Sequence, residues 1–127
     1  MGIRVRADTR EGLLRPAAAG LYAAFGELSP TQTGATSFAF HTEGHDDAVL
    51  LRDFLTELLV LFEREHRILT TIESSSFSGG KLVVSGSTAE VDLGQCVFCR
   101  EVKAITYHGL NICKLDDGYE ATLIVDI

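Results

Sequence analysis

The chain has 127 residues and a mass of 13.8 kDa, which is the size of one domain and is enough for a hydrophobic core. Hydrophobic residues make up 46% of the chain, and 12 Gly and 2 Pro are ordinary usage, so the composition excludes a disordered, collagen-like or low-complexity protein. With 11 Lys and Arg against 18 Asp and Glu the net charge is -7, which disfavours direct high-affinity binding of RNA or DNA.

The N-terminus and the cysteines indicate the compartment. Residues 1–6 lack the apolar segment of an export signal, and the 3 cysteines are an odd number, so we expect a reducing cytoplasm. The longest apolar stretch, residues 48–62, is interrupted by Arg52, Asp53 and Glu57 and is therefore too polar to span a bilayer. No membrane role is expected.

The first elements are a short strand and a helix. Alternating apolar and basic residues at positions 3–6 predict the strand, and Asp8-Thr9 supplies N-cap chemistry for a helix that runs to about Leu28. Pro16 lies inside the helical pattern and lacks a backbone donor. We therefore expect either a local kink or a helix that begins nearer Arg15.

A second helix is the clearest element in the sequence. Residues 36–41 read as a strand, and after a polar turn at residues 42–45, Asp46 can cap a helix over residues 47–65. Leucines and phenylalanines form a broad face along this helix, while Arg52 and Glu57 lie on the opposite side. This pattern is typical of a core helix with one solvated face.

The second half of the chain has β character. Residues 68–77 and 81–87 flank Gly79-Gly80 and predict a hairpin, and residues 100–115 and 119–127 predict a second, longer one. Two helices early and strands late predict the α+β class: a single domain over residues 1–127, with two main helices packed on a mostly antiparallel β-sheet.

Cys96 and Cys99 have the spacing of a zinc knuckle or a redox pair. A second such pair is absent, and Cys113 and His108 could complete a zinc site only by coincidence. Because Val97 and Phe98 lie between the thiols, we interpret the segment as a strand in which both cysteines are small buried side chains. The usual nucleophile, phosphate-loop and dinucleotide motifs are also absent.

The last hairpin predicts a pair of polar side chains at one end of the sheet. A two-residue turn at Asp117-Gly118 places Gly109 opposite Asp126 and His108 opposite Ile127, and a turn one residue longer places His108 opposite Asp126. In either register His108 and Asp126 lie within about 5 to 8 Å of each other.

Asp126 and Ile127 are candidate ligands for a hard cation. If Ile127 is the true end, its carboxylate and that of Asp126 suit calcium or magnesium better than zinc. The alternative is a frayed acidic terminus beside a surface histidine. The apolar residues 123–125 favour a strand that is anchored in the core.

Lys103 is expected to lie away from that pair. On a strand over residues 101–108, Lys103 and His108 point to opposite faces and are roughly 16 Å apart. A compact site that contains both is therefore not expected. The structural alternative for Lys103 is a solvated charge that protects a sheet edge.

Residues 101–110, which read EVKAITYHGL, resemble the signature segment of the archease family. Residues 53–62 resemble the long central helix of that family, residues 2–5 its first strand, and residues 123–127 its ending. The resemblance covers nearly the whole chain in order. The ten-residue segment is the specific part of it.

The resemblance implies a small non-enzymatic accessory protein. Archeases activate the GTP-dependent tRNA-splicing ligase of the RtcB type, by helping its guanylylation and letting it turn over repeatedly. A chaperone-like effect on a tRNA methyltransferase is the alternative. Both roles need contact with a protein rather than binding to RNA, which agrees with the acidic net charge of this chain. A metal-dependent hydrolase, with His108 as general base and Asp126 as a ligand, is a third and less favoured hypothesis.

The resemblance also implies roles for individual residues. Asp126 and Ile127 match two ligands of a metal, calcium in the family, and Lys103 matches a lysine associated with activation of the partner. We place His108 with Lys103 in the surface that acts on the partner. The family has a third ligand, an aspartate, just before the residues that positions 1–3 resemble. It is absent from the sequence given, through a start at an internal Met, a truncation or a true loss of the ligand. We therefore expect a divalent metal to bind weakly or not at all.

Overall fold

Two helices pack with three antiparallel sheets in the computed structural model, which describes residues 1–31 and 34–127. The strands are β1 (Gly2–Ala7), β2 (Gly26–Glu27), β3 (Thr36–Glu43), β4 (Arg67–Ser78), β5 (Lys81–Glu90), β6 (Val97–Phe98), β7 (Ala104–Ile105), β8 (Asn111–Leu115) and β9 (Gly118–Asp126). The helices are α1 (Leu14–Phe25) and α2 (Asp47–Glu65), and a 3-10 turn, Glu11–Leu13, precedes α1. The predicted α+β class, with two main helices and antiparallel strands, is confirmed.

The sheets differ in size. In the four-stranded sheet β9 is central, with β1 on one side and β7 and β8 on the other. The three-stranded sheet has the order β3-β5-β4, and β2 pairs with β6 alone. The hairpin predicted at Gly79-Gly80 is confirmed, and β3 continues two residues beyond the predicted strand, to Glu43.

Helix α1 begins later and ends earlier than the longer version of the prediction. It begins at Leu14, in agreement with the alternative start near Arg15, and Thr9 accepts a hydrogen bond from the Gly12 amide at 3.0 Å in the preceding turn. The predicted end at Leu28 is wrong, because Gly26 adopts φ 133° and turns the chain into β2. A side chain at Gly26 would meet the Val97 carbonyl oxygen, so this pairing requires glycine.

Helix α2 matches its predicted bounds. The Asp46 carboxylate accepts a hydrogen bond from the Ala48 amide at 2.9 Å, as an N-cap does. At the other end His66 takes the left-handed conformation, with φ 53°, and its amide donates to the Phe62 carbonyl.

One continuous hydrophobic cluster joins both helices to both larger sheets. Helix α2 contributes more of the buried leucines than any other element, and β9 contributes every second residue, as expected for a strand with one face in the core. The largest completely buried side chains are Phe54, Phe77, Leu13, Leu14, Leu21, Leu50, Leu51, Leu55, Leu58, Leu82, Ile105 and Leu123.

The predicted strand over residues 100–115 is wrong. Within this stretch only β7 and β8 pair with β9, and residues 106–110 leave the sheet between them. Alternation of residue types in this stretch resembled a single strand, but the chain bends at Thr106, whose hydroxyl accepts a hydrogen bond from the His108 amide at 3.2 Å. Such local side-chain hydrogen bonds compete with pairing in a sheet.

Candidate functional site

The turn between β8 and β9 differs from the predicted one. The two-residue turn is Asp116-Asp117, with Leu115 opposite Gly118, so the register is shifted by two residues from the prediction. Gly118 is needed elsewhere: a Cβ there would lie 2.3 Å from the carbonyl oxygen of Ala7, where β1 passes close to β9. Gly118, which the sequence pattern assigned to the turn, is therefore required where β1 approaches β9 closely.

Asp126 lies beside Lys103 and not beside His108. The residue opposite Asp126 is Ala104, and the Asp126 carbonyl oxygen accepts a hydrogen bond from the Lys103 amide at 2.7 Å. The predicted pairing of His108 with Asp126 is wrong, and so is the expectation that Lys103 lies away from Asp126. Both errors follow from treating residues 101–108 as one regular strand.

The end of β9 is anchored, as predicted. The Met1 carbonyl oxygen accepts a hydrogen bond from the Val125 amide at 2.8 Å, and the Met1 amino group donates to the Val125 carbonyl at 3.2 Å. Strands β1 and β7 thus flank the same end of β9. The side chains of Lys103, Asp126 and Ile127 are exposed there, and we call these three residues the rim.

The loop that carries His108 is held by Arg52 of α2. The Arg52 Nε donates to the Ile105 carbonyl oxygen at 2.9 Å, and its guanidinium lies 4.0 Å from the centre of the Tyr107 ring. This geometry combines a charge-assisted hydrogen bond with a cation–π contact. Tyr107 and His108 are both exposed. The sequence placed Arg52 on a solvated helix face, and no local pattern indicated that it contacts this loop.

The rim offers few ligands for a metal ion. Within residues 1–31 and 34–127 there is no group of three or more His, Cys, Asp and Glu side chains that could hold one. Asp126 contributes one carboxylate, and Lys103, which is cationic, contributes no ligand. Because calcium takes six to eight oxygen ligands, the residues present do not by themselves fit a calcium site.

The cysteines are less buried than predicted. Cys99 is exposed and Cys96 is half-buried, so the interpretation of both as buried side chains is wrong, although the short strand β6 between them is confirmed. The Cys96 thiol donates to the Asp92 carbonyl oxygen at 3.2 Å and accepts from the Ser29 amide at 3.3 Å. All three cysteines are free thiols.

Three further histidines, His41, His45 and His66, are exposed. Among the helices that the structure describes, none is both long and apolar enough to cross a membrane.

Sequence comparison gives a match over the whole length. A sequence model of the Archease protein family matches residues 1–127. The chain is 31% identical over 131 residues to the protein named archease of Pyrococcus abyssi, which covers 100% of this chain and 92% of that protein. It is 35% identical over 102 residues to the protein of the same name of Methanosarcina barkeri, which covers 75% of this chain and 68% of that protein.

Two solved structures share the fold. The crystal structure of an archease from Thermotoga maritima, described as a possible chaperone, superposes with a TM-score of 0.76 and 17% identity, over 100% of this chain and 90% of that one. The solution structure of protein 1598 of Methanobacterium thermoautotrophicum superposes with a TM-score of 0.74 and 20% identity, over 99% of this chain and 91% of that one. At these identities the likeness shows the fold.

Proposed function

Because this chain belongs to the Archease protein family, we propose that it is an accessory protein that activates a GTP-dependent RNA ligase of the RtcB type. Family membership supports a chaperone-like accessory protein that works through protein partners. The match of the family model to the whole chain is the observation that carries the proposal. The activity is promotion of ligase guanylylation and of multiple turnover in tRNA splicing.

The rim is the surface that acts on the ligase in this proposal. Lys103, whose amide is hydrogen-bonded to the Asp126 carbonyl oxygen, supplies a cationic group, and His108 lies on the adjoining loop that Arg52 holds. The net charge of -7 suits contact with a protein and repels RNA phosphates. The partner is thus a protein, and no strong direct nucleic-acid contact is needed.

In this proposal the rim binds a divalent metal, calcium in the family, only weakly. Asp126 and Ile127 are the residues that would contact it. Free thiols at Cys96, Cys99 and Cys113 suit the reducing cytoplasm, where we place the protein.

The test is a ligation assay with ligase in large deficit over RNA. We expect the wild-type protein to raise the number of turnovers per ligase, and Lys103→Ala and Asp126→Asn to lower that activation about tenfold. Lys81→Ala, which removes an exposed lysine from a different sheet, is the matched control and leaves activation unchanged. Unchanged turnover with the wild-type chain, and also with an N-terminally extended version, would refute the proposal.

A chaperone-like modulator of a tRNA methyltransferase is the second candidate. The description of the Thermotoga maritima relative as a possible chaperone favours it. This function predicts that the protein suppresses aggregation of the methyltransferase without changing any ligase rate. A metal-dependent hydrolase has less support, because the chain places Ala104, and not His108, opposite Asp126.

A further inference from the structure

Three large apolar side chains are exposed within one six-residue segment. Leu93, Val97 and Phe98 have 46%, 57% and 48% of their surface exposed, in and just before β6. Of the three, Phe98 lines a groove of about 460 Å³. We call it the Phe98 groove; its apolar walls and acidic margin include Phe25, Phe62, Phe98, Val102, Glu63 and Glu101.

The Phe98 groove has an aromatic floor that the core supports. The ring of Phe62 lies 4.4 Å from that of Phe25 and 6.3 Å from that of Phe98, measured between ring centres. Phe25 and Phe62 are buried members of the central hydrophobic cluster, while Phe98 is half exposed. Large apolar residues on the surface are ordinary when scattered singly, but an exposed ring such as Phe98 that lines an apolar groove is typical of an interaction site.

The segment that displays these side chains is fixed and not loose. It pairs with Gly26 through β6, the Cys99 amide donates to the Phe25 carbonyl at 2.8 Å, and the Asp92 amide donates to the Ser29 carbonyl at 2.8 Å. At its end the Arg100 guanidinium donates to the Ala24 carbonyl at 2.9 Å. A surface that is already ordered loses little conformational entropy when a partner binds.

The charges around the Phe98 groove favour a cationic occupant. Glu63 and Glu101 are exposed, and neither forms an ion pair with any residue in the described part of the chain. Arg100, the basic residue of the lining, is engaged with the Ala24 carbonyl. A second copy of this chain, with its own charge of -7, is disfavoured as the occupant.

We propose that the Phe98 groove is a second docking site, which binds a segment of the protein partner that carries a large apolar side chain flanked by Lys or Arg. The apolar side chain packs on the exposed part of the Phe98 ring beside Phe62, and the basic groups face Glu63 and Glu101. Only the identity of the partner as the ligase rests on the proposed function. The groove adjoins the rim along the chain, since Val102 lines it and Lys103 follows, so one partner can contact both.

The first test uses synthetic peptides and does not involve the ligase. A peptide with a central Leu-Phe pair between lysines is titrated into the labelled protein and followed by amide NMR. One control peptide has Ser in place of Leu-Phe, and another has Glu in place of Lys. We expect shifts at residues 62–63 and 97–102, with binding at least tenfold tighter than for either control peptide. Equal binding of the Ser peptide, or shifts confined to other surfaces, would overturn the proposal.

Paired variants separate the groove from general surface effects. Phe98→Ser, at the half-exposed ring that lines the groove, and the double change Glu63→Gln with Glu101→Gln are each expected to weaken binding of the first peptide about tenfold. Val83→Ser, at an apolar side chain of the same 48% exposure in β5, and the double change Glu43→Gln with Glu90→Gln are the matched controls and leave binding unchanged. Equal weakening by test and control variants, or a dimer in light scattering that Phe98→Ser abolishes, would contradict a partner segment as the occupant.

The ligase assay then tests the partner. Phe98→Ser is expected to raise about tenfold the concentration of this protein that gives half-maximal activation, with the maximal turnover unchanged. A rim variant, Lys103→Ala, lowers the maximal turnover instead. If the wild-type protein does not activate the ligase, the proposed function fails, and the peptide titrations alone decide on the groove. An equal effect of Val83→Ser and Phe98→Ser would reject the groove as the ligase contact.

Discussion

Arg52 is a single residue that connects the central helix to the segment bearing Lys103 and His108. Its hydrogen bond to the Ile105 carbonyl and its contact with Tyr107 hold the bend that takes residues 106–110 out of the sheet. The adjoining amides of Lys103 and Thr106 donate to β9, at 2.7 and 2.9 Å. The position of the rim therefore depends on a side chain from a different element.

Arg52→Leu is expected to loosen this end of the sheet without unfolding the protein. One charge-assisted hydrogen bond and one cation–π contact together stabilise the loop by roughly 1 to 2 kcal/mol, so hydrogen exchange at the Lys103 and Thr106 amides should be about tenfold faster or more. The measurement is amide exchange by NMR at pH 7. Arg64→Leu, at an exposed arginine of the same helix, is the control. Unchanged exchange at both amides in Arg52→Leu would contradict the role.

Tyr22 is the second residue whose environment changes its chemistry. Its hydroxyl accepts a hydrogen bond from the Leu69 amide at 2.8 Å and links α1 to β4. Burial disfavours the tyrosinate and raises the pKa of Tyr22 to about 12, although the Leu69 amide acts in the opposite direction. Because an unfolded tyrosine titrates near pH 10, the folded state holds this proton more tightly.

The raised pKa of Tyr22 predicts a loss of stability in alkali. Between about pH 10 and pH 12 the unfolded chain releases the proton and the folded chain keeps it, so this group should lower the free energy of unfolding by about 1.4 kcal/mol per pH unit. The contribution is complete below pH 10. Urea unfolding at pH 8, 10 and 11, followed by circular dichroism, measures it.

Tyr22→Phe is the control for that titration. It removes the acceptor of the Leu69 amide and should cost about 1 to 2 kcal/mol at pH 8, but its stability should then fall less steeply above pH 10 than that of the wild type. Parallel pH profiles for the two proteins would show that Tyr22 does not titrate as described.

At the scale of elements, the junction between α2 and β4 is made by one strained residue. Among the described non-glycine residues only His66 has a positive φ, and its amide closes the helix with a hydrogen bond to the Phe62 carbonyl. Its own carbonyl accepts from the Val91 amide at 2.8 Å, which ties the junction to the end of β5. An L-residue pays about 1 to 2 kcal/mol for this conformation.

His66→Gly is expected to raise the free energy of unfolding by about 0.5 to 1 kcal/mol. Glycine relieves the backbone strain, while the edge contact of the imidazole with the Phe62 ring, 6.3 Å between centres, is lost. Urea unfolding at pH 7 gives the value. The control Glu65→Gly, one residue earlier and still helical, should destabilise the protein. A less stable His66→Gly would mean that the ring contact outweighs the strain.

For the molecule as a whole, the acidic net charge attracts cations, but the rim has too few ligands to hold one tightly. A net charge of -7 attracts calcium weakly over the entire surface, but Asp126 has no acidic cluster around it in the described residues. Affinity for calcium rises with the number of charged oxygen ligands. Binding at the rim should therefore be loose.

Calcium titration by calorimetry is expected to show a Kd no tighter than about 1 mM, which is the weak end of protein calcium sites. Asp126→Asn is the matched variant, and it should change the heats little beyond the loss of one surface charge. A micromolar Kd that Asp126→Asn abolishes would contradict this expectation, and it would mean that ligands in addition to those named here complete the site.

The elements that the sequence predicted well are those whose signals are local. Helix α2 has a capping aspartate and a long apolar face, and the hairpin at Gly79-Gly80 has a turn signal between two strand-like runs. The pairing of β2 with β6 had no such signal. It depends on contact between Gly26 and Phe98, which are far apart in the chain.

The candidate site shows the same division. Asp126 at the end of an anchored strand could be predicted from the apolar residues before it, and the roles of Asp126, Ile127, Lys103 and His108 stay predictions. Their arrangement could not be predicted. It required the bend at Thr106 and the turn at Asp116-Asp117.

The sequence by itself determined the α+β class, the central helix, the anchored final strand and, through residues 101–110, the family. Only the tertiary structure decided that the backbone of Lys103, and not His108, lies beside Asp126. It also decided that Arg52 holds the loop between β7 and β8, and that Phe98 lines a groove. The physical reason is the distance along the chain over which each kind of interaction acts. Caps, turns and periodicity act over a few residues, whereas register depends on close approaches such as that of Gly118 to Ala7, which the folded chain alone creates.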